Sequence, residues 1–223
     1  MYKINDSLIE RAHKKEKSNR ASFLACSVIV LFMITILIFT RFILISVYVD
    51  GASMSPTLSD GNVLFANTNL TAQEGDIIVI DGEKKSKDGK GYDWLIKRAI
   101  VIGQKDKTIV VEISNGIVMV GEEGKELKPL TENYLPEGTL TEPVLPEKET
   151  HWEVKEGEIF YLGDNRGNSH DSRYAPYGVC KVSQVVAVVP EWAISLRSVS
   201  RFIFDVGQFI NNLIGCADDS MQK

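Results

Sequence analysis

The chain has 223 residues, 44% hydrophobic and 25% charged, enough for one folded domain together with an anchoring segment. A formal net charge of −5 gives no electrostatic case for nucleic acid as a partner. The three cysteines, Cys26, Cys180 and Cys216, have neither metal-type nor redox-type spacing, so nothing in the composition asks for a metal or another cofactor, and at most one bridge, Cys180 to Cys216, can form.

Ala21 to Thr40 is a run without a charge that, as a helix, rises roughly 30 Å and matches the hydrocarbon core of a bilayer. A cleaved secretory signal is the rival reading, but the run is long for a signal core and flows through Arg41 into Phe42-Ile43-Leu44-Ile45 with no small-residue cleavage pattern. Arg11, Lys14, Lys15, Lys17 and Arg20 precede it and only Arg41 follows closely. The positive-inside rule then puts residues 1–20 in the cytoplasm as a basic tail, residues 21–40 across the membrane, and residues 41–223 outside the cytoplasm.

A short hydroxyl-rich segment, Ser53-Met54-Ser55-Pro56-Thr57-Leu58, follows the apolar run, and a serine there invites a search for a group able to activate it. From residue 42 to 189 the sequence alternates short β-rich runs with turn signals. Strands are predicted over Phe42–Val49, Asn62–Ala66, Asp76–Ile80, Trp94–Ile102, Thr108–Ile113, Ile117–Val120, Glu158–Leu162 and Val182–Val189. Asn115-Gly116, two residues tolerant of positive φ, joins two of them as a hairpin. Asp81–Asp93 and Glu122–Glu149 read as exposed loops. The fold class is mostly β, several small antiparallel sheets, with no Gly-rich phosphate cradle and no βαβ repeat.

In Trp94–Ile102 alternation places Leu95, Lys97 and Ala99 on one face and Ile96, Arg98 and Ile100 on the other, so each face carries one cation. The plain reading of either is escape to solvent or pairing with an acid. A lysine held in an apolar site instead loses its proton more readily, because desolvation disfavours the charged form. Bringing it from about 10.4 to near 7 costs on the order of 4 to 5 kcal/mol. Arginine cannot play this part because it does not deprotonate in proteins.

Gly163-Asp164-Asn165-Arg166-Gly167-Asn168-Ser169-His170-Asp171-Ser172-Arg173 follows an apolar strand and is dense in turn formers, carboxylates and guanidinium groups. Such turns often satisfy only their own backbone, yet this one also suits a loop that must hold another residue still. A histidine triad is disfavoured: His170 and Asp171 are adjacent and point to opposite faces in extended chain, His151 falls in the Glu-rich loop region, and His13 is on the cytoplasmic side. That leaves a lysine as the base if Ser53 is a nucleophile. Near the C-terminus, Leu196, Val199, Ile203, Val206, Ile210 and Leu213 recur at helical spacing. Arg197, Arg201, Asp205, Gln208, Asn211 and Asn212 make a second span costly, so residues 194–214 read as an amphipathic helix that packs on the domain or lies on the membrane surface.

Together these segments resemble the type I signal peptidases of peptidase family S26, membrane-bound serine proteases that remove signal peptides from exported preproteins. Ser53-Met54-Ser55-Pro56-Thr57-Leu58 matches the nucleophile box, Gly75-Asp76-Ile77-Ile78-Val79 a glycine-aspartate strand box and Lys97-Arg98 the lysine box, and Gly163–Arg173 matches the last box at its defining positions. The resemblance implies Ser53 as nucleophile and Lys97 as general base, with Ser169 positioning the lysine amine. It further implies that Asp171 and Arg173 form a buried ion pair, that Asp164 and Arg166 brace the same turn, and that the Ser53 backbone N–H meets the oxyanion. Two departures stand out. Gly51 occupies the place where some members add a serine hydroxyl to the oxyanion site, and Ala99–Asp106 replaces the usual proline-glycine-aspartate ending after the lysine.

The implied partners are preprotein signal peptides in the membrane and the lipid bilayer, with no metal and no nucleic acid. The substrate is expected to bind as an added extended strand, cut after a small-x-small motif, with apolar neighbours such as Met54 at the pocket. Alternatives are a specialised relative that processes pilin or conjugation substrates, or a non-catalytic membrane-anchored β-rich binding module. The self-cleaving repressors that share the dyad are disfavoured by the anchor and by the absence of a DNA-binding segment.

Overall fold

The computed structural model describes residues 6–85, 92–143, 150–174 and 177–220. It divides into two units, Met1–Ile43 and Leu44–Lys223. The first contains a single helix, α1 (Asp6–Ile43), which takes in the basic segment as well as the apolar run. Within it, Lys15–Ile36 is long and apolar enough to cross a membrane. Because α1 continues to Ile43, the strand predicted from Phe42 begins only at Leu44.

The second unit is mostly β, as expected, with eleven strands among the described residues, in chain order: β1 (Leu44–Tyr48), β2 (Val63–Asn67), β3 (Ile77–Lys85), β4 (Tyr92–Ile102), β5 (Ile109–Ser114), β6 (Ile117–Glu122), β7 (Lys128–Pro129), β8 (His151–Val154), β9 (Glu158–Leu162), β10 (Cys180–Lys181) and β11 (Val185–Val189). They form a seven-stranded sheet in the order β1-β2-β11-β3-β4-β9-β10 and a four-stranded sheet in the order β7-β6-β5-β8. Both are antiparallel throughout.

The first half of β3, Ile77–Ile80, reads as an unbroken apolar run because both its faces are covered. Ile77 and Val79 enter one core cluster with Met54, Leu58, Leu64 and Ile96, while Ile78 and Ile80 enter another with Ala99, Tyr161 and Val188. A third cluster, with Ile100, Val111, Trp152, Phe160 and Leu162, draws on both sheets. The β5–β6 hairpin turns at Asn115 and Gly116, both at positive φ (52° and 77°). A Cβ on Gly116 would come within 2.8 Å of the Leu140 side chain, so this position needs glycine for space as well as for conformation.

Several boundaries differ from the sequence expectation. The loop predicted over Asp81–Asp93 is shorter, since Asp81 pairs with Trp94 and Lys85 with Tyr92; residues 86–91 lie outside the described part. The Glu122–Glu149 loop contributes the two-residue β7 on β6, and its residues 144–149 also lie outside. His151 opens β8, a four-residue strand in which only Trp152 and Val154 are buried, too short an alternation to stand out beside its glutamates. Val182–Gln184 is a 3-10 turn ahead of β11. Where one helix is predicted near 194–214 the chain forms two, α2 (Glu191–Ser195) and α3 (Arg197–Ser220), interrupted at Leu196. Cys180 is a buried free thiol whose pKa burial pushes up to about 12, and the side chain of Cys216 lies outside the described residues.

Candidate active site

β4 runs through the middle of the larger sheet, and its alternation sends neighbouring cations into different surroundings. Lys97 stands opposite Ile78 of β3 and is 4% exposed. Its Nζ donates to Ser53 Oγ at 2.8 Å and to the Ile96 carbonyl at 3.0 Å. Burial pushes its pKa down to about 8, against the opposing pull of the Asp171 and Asp164 carboxylates.

Ser53 sits in the turn between β1 and β2, which closes on itself through Ser55 N–H to Ala52 O (3.1 Å) and Leu58 N–H to Met54 O (2.9 Å). Met54 and Leu58 are buried in the core and anchor the turn from beneath. The expectation that Met54 flanks a substrate pocket is therefore corrected: its side chain points into the core. The cleft beside Ser53 and Lys97, about 350 Å³, is lined instead by Gly51, Leu95, Asn168, Ser169, His170 and Tyr177. His170 stacks on Tyr174 and Tyr177 (ring centroids 5.3 and 6.1 Å).

The turn after β9 closes the other side. Asn165 N–H donates to Ser53 O and its side-chain amide to Ala52 O, each at 3.0 Å, so this turn is stitched to the Ser53 turn through the backbone. Gly163 lies between them, and a Cβ there would meet Ser169 Oγ at 2.2 Å and Ser53 O at 2.4 Å, a packing only glycine allows.

Three buried ionic clusters hold this frame. The Arg173 guanidinium binds Asp171 bidentately (2.8 and 2.9 Å) and also donates to the Glu142 and Arg166 carbonyls, while Asp171 accepts Gly163 N–H at 3.0 Å. Asp164 pairs with Arg98 (2.8 and 2.5 Å) and accepts the Thr57 hydroxyl at 2.5 Å. Arg98 also donates to Gly75 O at 2.7 Å and lies 3.9 Å over the Tyr134 ring. Arg166 binds Glu132 bidentately and donates to Thr141 Oγ1 at 2.5 Å. Asp164 and Arg166 thus serve one turn through separate partners.

Ser169 Oγ is buried beside the same cleft and makes no hydrogen bond. Glu132, Tyr134 and Thr141 are the members of this network that the sequence does not pick out; Arg98, Thr57 and Asn165 stand in the matched boxes but with no role assigned to them. The amide of Gly51 donates to Asp60 Oδ1 at 2.9 Å.

The family profile described as "Signal peptidase, peptidase S26" matches residues 20–192. Among curated relatives, Signal peptidase I of Bacillus caldolyticus is 35% identical over 79% of this chain and 91% of its own length. Signal peptidase I T of Bacillus subtilis (strain 168) is 32% identical over 65% of this chain and 72% of its own. A crystal structure of a signal peptidase I from Enterococcus faecalis aligns with a TM-score of 0.36 at 23% identity, over 54% of this chain and 98% of that one, a likeness too weak to build on. The chain belongs to the S26 family of signal peptidases. Within that family its class is that of the relatives it matches, signal peptidase I, a serine endopeptidase.

Proposed function

We propose that this chain cleaves signal peptides from exported preproteins with Ser53 as nucleophile and neutral Lys97 as general base. The observation that carries the reading is the 2.8 Å contact between Lys97 Nζ and Ser53 Oγ, with the lysine buried and its pKa lowered to about 8. In the neutral form the same contact reverses, so that the hydroxyl donates to the amine. Lys97 takes the Ser53 proton as Oγ bonds to the scissile carbonyl carbon. The tetrahedral intermediate collapses, the C–N bond breaks, and the Lys97 ammonium returns the proton to the departing amine. Water, giving a proton to Lys97, then attacks the Ser53 ester; the C–Oγ bond breaks, the Lys97 ammonium returns that proton to Ser53 Oγ, and the acid product leaves.

The Ser53 backbone N–H faces the developing oxyanion in this scheme. Asp171–Arg173, Asp164 and Arg166 keep the turn after β9 against the Ser53 turn, and Ser169, which lines the same cleft, helps position the Lys97 amine. A signal-peptide segment binds as an extended strand along the cleft, its small side chains seated beside Leu95 and Tyr177. The span in α1 anchors the enzyme, with residues 1–20 in the cytoplasm and the domain from residue 41 on the opposite side.

The test is incubation of the purified full chain with a preprotein and N-terminal sequencing of the product. The reading expects one cut after a small-x-small motif, abolished in Ser53→Ala and in Lys97→Ala. Full activity retained in both variants overturns it.

A further inference from the structure

The C-terminal segment lies beyond the part matched to the family, which ends at residue 192, and its helix is inside out for a domain surrounded by water. At 100° per residue, Val199, Phe202, Ile203, Val206 and Phe209 of α3 cover an arc of about 120°. All five are exposed, between 40% and 68%. The helix meets β2 with its other side: Ser200 is 1% exposed, Phe204 is half-buried, and Arg201 donates to the Gly61 carbonyl at 2.7 Å. Leu196 and Trp192, just before α3, are partly exposed as well. A helix that packs on its domain through Ser200, Arg201 and Phe204 and turns an aromatic and aliphatic stripe outward is built for a second apolar phase.

We infer that α3 lies flat in the interfacial layer of a lipid bilayer, its Val199–Phe209 stripe entering the acyl boundary. The inference rests on the anchor reading proposed above, and three observations select lipid as the occupant. The chain enters the second unit at Leu44, immediately after the helix that carries the span, and α3 packs on β2, the sheet neighbour of that first strand β1. An anchored domain meets lipid at a high effective concentration without having to find a partner. The stripe has the composition of an interfacial helix face, with Phe202 and Phe209 among Val199, Ile203 and Val206, while Arg197 and Arg201 lie on the opposite, polar side. The same charges, with Asp205 and Gln208, keep the helix from crossing.

The experiment uses the full chain with Cys26→Ser and Cys216→Ser, reconstituted into phosphatidylcholine–phosphatidylglycerol vesicles. An environment-sensitive fluorophore is placed in turn at Phe202→Cys, Val206→Cys, Phe209→Cys, Arg197→Cys and Gln208→Cys, and quenched by lipids carrying a shallow or a deep nitroxide. The expected result is strong quenching by the shallow nitroxide at 202, 206 and 209 and little at 197 and 208. Equal quenching of all five probes by the deep nitroxide means a second span and overturns the inference. Absence of lipid quenching together with energy transfer between labelled copies means that a second copy covers the stripe, and overturns it too. Alkaline carbonate separates this inference from the anchor reading. A chain washed off the vesicles fails at the anchor and takes the α3 assignment with it, whereas a chain retained with unquenched α3 probes overturns the α3 assignment alone.

Discussion

Lys97 and Arg98 are neighbours on β4, equally out of reach of water, and the strand treats them in opposite ways. Arg98 meets a carboxylate on two of its nitrogens, a carbonyl on the third, and an aromatic ring beneath its plane. Lys97 meets only a hydroxyl and a carbonyl. The first environment compensates the charge and yields a strut. The second leaves the charge underpaid and yields a group ready to give up its proton. Burial alone therefore does not set a cation's readiness to lose its proton; burial without a contacting carboxylate is what lowers the pKa of Lys97.

The sharpest way to break the contrast is Lys97→Arg, which keeps a cation at the site and removes the ability to deprotonate. The expected loss in kcat/KM for preprotein cleavage is about 10⁴-fold or more, because a nucleophile without its base loses nearly all catalysis. Activity near the unaltered level would refute the assignment of Lys97 as base.

On the other face, Arg98→Met leaves Asp164 buried without its partner and is expected to cost about 3–5 kcal/mol of stability, read by denaturant unfolding in detergent. Adding Asp164→Leu should restore a good part of that loss. A double variant no more stable than the single one would show that the pair matters for something other than charge compensation.

Lys97 should also give both activity and stability a pH dependence. With Lys97 as the proposed general base, its lowered pKa predicts that kcat/KM rises with pH and levels off above about 8, because a base must be neutral to accept a proton. For stability the sign follows from proton counting. Between about 8 and 10.5 the folded lysine is neutral while the unfolded one is still protonated, so the unfolded state holds more protons and stability increases with pH. The difference amounts to about 3 kcal/mol, present in full above 10.5 and lost as pH falls through 8. Lys97→Met should flatten this part of the stability profile, and an unchanged slope in that variant would place the titrating group elsewhere.

The smallest effect belongs to Thr57→Val, which removes the 2.5 Å hydroxyl contact to Asp164 and is expected to cost about 1–2 kcal/mol with the Lys97–Ser53 pair left in place. A kcat loss much larger than that stability change would show that Thr57 also positions the serine turn.

The alternation of β4, the Asn115-Gly116 hairpin, the apolar stretch of α1 and the polar turn after Gly163 were all legible in the chain, because each depends on residues close in sequence. Period, turn conformation and span length are local properties. So was the choice of Lys97 over Arg98 as the residue able to lose a proton, which follows from side-chain chemistry. The partners were not legible. That Asp164 pairs with Arg98, that Arg166 reaches back to Glu132, and that Asn165 ties down the backbone of Ser53 depend on antiparallel pairings that bring together segments tens of residues apart. The orientation of α3 was likewise undecided: its periodicity gives one apolar face, and only its packing through Ser200 and Arg201 turns that face away from the domain. Local rules determine which groups a chain can present. The tertiary structure decides what each is buried against, and that surrounding determines whether a cation becomes a strut or a base.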